Sequence, residues 1–163
     1  MKKSEYMKII GKKRLYNNNL DEKEIIRWEV FYINGEQDII LRFISKNSLN
    51  RQGVFIGFIG CDGTIDIEIE EKKDFYKSGD FWEDTMPKEM KIKCKSNEGF
   101  LSVYNIFEKI TDSPKINGIK QKYSQMDFQG MKLEKNGNIY RYYCNHATKD
   151  SAFDALVFEI ELL

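Results

Sequence analysis

The chain has 163 residues, 41% hydrophobic and 13% aromatic, which is the size and apolar content of one domain that buries its own core without disulfide or metal staples. Lysine plus arginine and aspartate plus glutamate each number 26, so no net field draws the chain to nucleic acid or to an anionic membrane surface. The three cysteines, Cys61, Cys94 and Cys144, are odd in number and far apart, which fits neither a disulfide framework nor a CxxC zinc site, so reduced thiols and a cytoplasmic location are expected.

The first twenty residues are basic (Lys2, Lys3, Lys8, Lys12, Lys13, Arg14) and hold too few apolar residues for a secretory signal; they read as a loosely held arm or an edge strand. Ile25 to Ile33 is β-branched and aromatic, Asn34-Gly35 suits a type I′ turn, and Glu36 to Ile44 resumes strand character, so a hairpin is predicted. A second hairpin is predicted from Val54 to Gly60, through Cys61-Asp62-Gly63, and back along Thr64 to Glu71. In its returning strand Ile65, Ile67 and Ile69 alternate with Asp66, Glu68 and Glu70, as a half-buried strand requires. The longest apolar run, Val54 to Gly60, falls far short of the roughly 18 residues that cross a bilayer as a helix, so no membrane association is expected.

Residues 72 to 87 show no sustained period and read as a long loop. Met90 to Lys95 alternates as a strand. Phe100, Val103, Tyr104, Phe107 and Ile110 recur at helical spacing and predict one amphipathic helix, although the same stretch also suits a buried strand. Met126 to Lys135 and Ile139 to Cys144 flank Asn136-Gly137 as another hairpin, and Ala155 to Leu163 is a last strand. About eight strands, perforce joined by short turns without crossovers, point to a mainly β fold: a single domain over 1–163, built as an antiparallel β-sandwich, barrel or curved sheet with one helix.

Chemistry-bearing residues are few. His146 is the only histidine; Cys144 lies two residues before it, and Asp150 or Asp154 would complete a Cys-His-Asp arrangement for a hydrolase. The glycines of Gly57 to Gly63 do not precede a helix, so they form no phosphate cradle. Asp66, Glu68 and Glu70 recur at roughly 7 Å along one strand, too far apart to chelate one ion without help from another strand, and no cofactor is expected. Tyr140, Tyr142, Tyr143 and Arg141 lack the basic support and shared face of a base-stacking platform.

Residues 62–84 carry nine acids against three lysines, with Phe75, Tyr76, Phe81 and Trp82 among them. Two readings compete. Either the rings cap the sheet while the strand acids pair with Lys91, Lys93 and Lys95 of the next strand, or rings and acids together form an interface for a basic partner.

The overall composition and the segment DGTIDIEIEEKKDFYKSGDFWED resemble the small cytoplasmic immunity proteins of bacterial toxin–immunity pairs. The resemblance implies a non-enzymatic inhibitor of one toxin domain, often a basic nuclease. Asp66, Glu68, Glu70, Asp80, Glu83 and Asp84 would then meet the toxin's cations, with Phe81 and Trp82 as buried anchors. The alternatives are a closed β-barrel carrying a small apolar ligand, which would turn many of the aromatics inward, and the Cys144/His146 hydrolase.

Overall fold

A computed structural model of the chain describes residues 11–20, 22–69, 72–110, 120–146 and 152–163, with side-chain detail at all of these except 68–75 and 110. The described residues are all-β. The strands are β1 (Leu15–Tyr16), β2 (Ile26–Lys46), β3 (Arg51–Phe58), β4 (Thr64–Ile69), β5 (Lys72–Tyr76), β6 (Ser78–Trp82), β7 (Glu89–Ile110), β8 (Lys120–Tyr123), β9 (Gly130–Asn136), β10 (Ile139–Asn145) and β11 (Leu156–Leu162). They make one sheet in the order β11-β10-β9-β2-β7-β3-β6, with every pairing antiparallel.

Two long strands, β2 and β7, organise the molecule. They run antiparallel from the Glu29–Val103 pair to the Arg42–Glu89 pair. At 21 residues, β2 would extend about 70 Å if straight, against a radius of gyration of about 15 Å for a chain of this length, so it has to bend. The bend falls at the register irregularity between Ile33 and Gly35, where Gly35 takes φ 93°. This corrects the expected Asn34-Gly35 hairpin: the dipeptide supplies a bulge inside one strand, because β7 continues the pairing on both sides of it.

The bend lets each long strand serve two partners along the edge away from the other. The first half of β2 meets β9 at Ile26–Met131, and its second half pairs with β11; since β9, β10 and β11 are paired in turn, these strands close a ring. Likewise β7 pairs with β4 along Ile92–Lys95 and with β3 along Leu101–Glu108. The strands β3 and β4 were expected to pair with each other; instead each pairs with a different half of β7, and residues 59–63 turn the corner between them.

The expected helix over Phe100–Ile110 is the second half of β7. Every residue from Leu101 to Phe107 is buried, so neither face is polar and the helical spacing of the rings is incidental to a doubly covered strand. The expected loop over 72–87 is largely β5 and β6. The Asn136-Gly137 hairpin forms as predicted, with Ile139 opposite Asn136 and Gly137 at φ 62°. Of the basic arm, residues 1–10 lie outside the described residues, while Leu15 and Tyr16 pair with Trp28 and Ile26 as an edge strand.

The core joins both halves of the long strands: Ile39, Leu41, Val54, Ile56, Ile65, Ile92, Val103, Phe158 and Ile160 are fully buried. The most deeply buried acid among the described residues is Glu29 (1% exposed), held by Arg14 Nε and Nη2 at 2.8 and 3.0 Å and by the Tyr142 hydroxyl at 2.8 Å. A smaller cluster of Leu20, Ile25 and Phe153 closes one end. There Asn17 donates to the carbonyls of Asp127 and Gln129, and Asn145 donates to that of Phe128.

Candidate functional site

The acidic, aromatic segment becomes β6 and the turn after it. In β6 the side chains alternate: Ser78, Asp80 and Trp82 face one side of the sheet, and Gly79 and Phe81 the other. Phe81 sits opposite Val54 and is 1% exposed, so it belongs to the core; this corrects its expected role as an anchor entering a partner. Trp82 sits opposite Gly53 and is half-buried against the core. Its ring lies on the Gly53 backbone: a Cβ there would stand 2.8 Å from Trp82 Cε3 and 2.7 Å from the Phe81 carbonyl oxygen. The Arg51 guanidinium lies over the ring, 4.4 Å from its centroid.

Beyond Trp82 the chain turns sharply. The amides of Thr85 and Met86 both donate to the Trp82 carbonyl at 3.3 and 3.0 Å, and the Glu83 amide donates to the Gln52 carbonyl at 3.0 Å. Three carboxylates are thereby gathered at the surface, each facing a cation from another strand. Asp80 accepts from Lys122 at 2.8 Å, Asp84 from Arg51 at 2.8 Å, and Glu83 lies 4.0 Å from Lys46. Among the described residues one oxygen of each is engaged: Asp80 Oδ2, Asp84 Oδ1 and Glu83 Oε2. Such exposed pairs contribute about 0–1 kcal/mol each, so they neutralise the segment without locking it.

Beside Asp80, between the end of β5 and β6, opens a cleft of about 220 Å³ lined by Ile67, Tyr76, Ser78, Gly79, Asp80, Phe81 and Met86. Its floor is apolar, and Tyr76 on its rim is exposed. A polar cleft of about 270 Å³ lies on the other side of Arg51 and Asp84, bounded by Glu108, Lys109 and Lys120.

The remaining acids of the expected interface are not gathered here. Asp66 is 9% exposed and sits between Phe75 of β5 and Lys93 of β7 in register, so it is a sheet residue rather than a surface contact. The lysines expected to neutralise β4 bond elsewhere: Lys93 and Lys95 with Glu36, and Lys91 with Asp38. Glu68 is opposite Lys73, its side chain being outside the description, and Glu70 lies outside the described residues.

The residues of the hydrolase reading are separated. Cys144 is fully buried, and burial pushes its thiol well above the ordinary value. His146 turns away to a side-chain partner of its own, with Nε2 2.9 Å from Ser48 Oγ and its ring stacked on Phe107 at 4.6 Å. Burial, aided by Lys109, lowers the imidazole pKa. Asp154 accepts from Asn47 at 2.7 Å, and Asp150 lies outside the described residues. Alternation along a strand would have placed Cys144 and His146 on one face, but β10 ends at Asn145 and the chain leaves the sheet before His146.

The tyrosines are structural. Tyr142 donates to Glu29 and stacks on Phe158, while Tyr140 meets Phe31 edge-on at 5.0 Å. Sequence reasoning missed the Glu29–Arg14–Tyr142 set; its one signal was an acid in the middle of the apolar run IIRWEVFYI. Among the described residues no group of His, Cys, Asp and Glu is placed to hold a metal ion, and no helix is long and apolar enough to cross a membrane. Compared with protein-family models, curated proteins and solved structures, the chain matches none.

Proposed function

We propose that this chain is a non-enzymatic protein-binding inhibitor of the immunity type, which neutralises a basic toxin domain in the cytoplasm through β6 and the turn that follows it. The observation that carries this reading is an apolar cleft that Asp80 helps to line, followed in the chain by Glu83 and Asp84, each of the three acids having one oxygen without a partner among the described residues. Carboxylates at a rim accelerate association and select a cationic partner; a desolvated pocket supplies the residence time. Because Phe81 is the floor of the cleft, the anchoring side chain comes from the partner, and this chain contributes the socket.

The test is capture from the source cells by the tagged chain, in parallel with Asp80→Lys/Glu83→Lys/Asp84→Lys, both checked for an unchanged circular dichroism spectrum. A basic protein held by the first and lost by the second supports the reading, and its association with the native chain should slow by about tenfold or more as salt rises to several tenths molar. Equal capture by both proteins, or capture by neither, rejects this surface.

A further inference from the structure

Resting on the reading above, we propose how the partner is held: an extended segment with alternating basic and apolar side chains adds to the free edge of β6 as a further strand. The hydrogen-bond geometry of β6 defines that edge. Phe58 N–H donates to the Lys77 carbonyl and Glu83 N–H to the Gln52 carbonyl, so the odd-numbered residues direct their backbone groups at β3. Strand alternation then sends the N–H and C=O of Ser78 and Asp80, and the N–H of Trp82, to the opposite edge. The Trp82 carbonyl is taken by Thr85 and Met86, which ends the edge at the turn. β6 is the last strand in the sheet order, and among the described residues no strand pairs with its outer side.

Open edges are ordinarily protected by proline, lysine, bulges or a covering element. The β6 sequence, Ser-Gly-Asp-Phe-Trp, contains neither residue type, and its register with β3 is unbroken over five pairs. The two faces of this edge prescribe different chemistry for an added strand. On one face its side chains lie beside the Asp80 carboxylate, which suits lysine or arginine by charge. On the other they reach the cleft of Ile67, Tyr76, Phe81 and Met86, whose volume of about 220 Å³ suits a leucine or phenylalanine side chain. Main-chain bonds would give affinity and the alternating side chains specificity.

The probe is a synthetic peptide alternating lysine and leucine across six residues, set against a peptide of the same composition with the lysines and leucines in two blocks. Amide exchange and chemical shifts are followed by NMR on the intact chain. The expected result is slowed exchange of the Ser78, Asp80 and Trp82 amides with the alternating peptide, and binding weaker by about tenfold or more for the blocked one. Ser78→Pro removes an outward N–H at the first position of the strand, where proline is tolerated, and leaves the bonds to β3; it should weaken binding by about tenfold without altering the melting curve. Binding that requires Asp80, Glu83 and Asp84 but protects none of the three amides, or that is unaffected by Ser78→Pro, rejects the added strand and leaves the acidic-surface reading standing. Absence of binding by either peptide overturns the added strand, and the capture experiment then decides the reading beneath it.

Discussion

Removing the Arg14 guanidinium should expose the cost of the acid buried in the core. The Glu29 side chain is 2% exposed and accepts two bonds from Arg14, one from Tyr142 and one from its neighbour's amide, Val30 N–H. Hydrogen bonding to Glu29, the largest influence, holds the guanidinium above its ordinary pKa, so Arg14 stays charged at every working pH. Arg14→Met leaves the carboxylate with only two neutral donors. Breaking a buried pair costs about 3–5 kcal/mol, but Arg14 itself is 35% exposed, and solvent screening brings the expected loss to about 2–3 kcal/mol. For a chain of this length that lowers Tm by about 5–10 °C and leaves the protein folded, given the usual total of about 5–15 kcal/mol. Urea unfolding followed by Trp28 and Trp82 fluorescence and by circular dichroism measures it. In a Glu29→Gln background the same Arg14→Met change should cost less than about 1 kcal/mol, a coupling that attributes the loss to charge. An equal loss in both backgrounds, or a loss under about 0.5 kcal/mol in the native one, refutes the reasoning.

Gly53→Ala should destabilise by about 1–3 kcal/mol, because the new methyl meets the Phe81 carbonyl and the Trp82 ring at under 3 Å, and a shifted Trp82 emission spectrum should accompany the loss. His146 has a folded-state pKa below its unfolded value, so the unfolded chain binds more protons as pH falls below about 6.5, and stability is lost on acidification through that range. Denaturation midpoints at pH 7.5 and 5.5 should differ less in His146→Gln than in the native chain; equal differences would contradict the shift. Thiol labelling of the native chain should modify Cys61 first, since Cys94 and Cys144 are buried and burial pushes the Cys94 thiol up to about 12. Rapid modification of all three thiols would contradict this order.

The β class, the antiparallel connections and the positions of most strands follow from local pattern alone, since alternation and turn chemistry act over a few residues. Ile65, Asp66 and Ile67 declare a strand, and Asn136-Gly137 declares a hairpin. Tertiary pairing decided the rest. Asn34-Gly35 carries the same local preference as Asn136-Gly137, yet it bends one strand because β7 pairs across it on both sides. Phe100–Ile110 is ambiguous by periodicity because a strand buried on both faces has no polar stripe to announce its period. The acids near the middle of the chain are visible in the sequence, but which of them reach the surface is not. That depends on partner strands: Asp66 is enclosed between β5 and β7, whereas Asp80, one residue from the buried Phe81, lies on a strand whose outer side no described strand pairs. Local preference chooses conformations residue by residue, while exposure depends on which distant strand arrives alongside, and that choice is made only by the folded sheet as a whole.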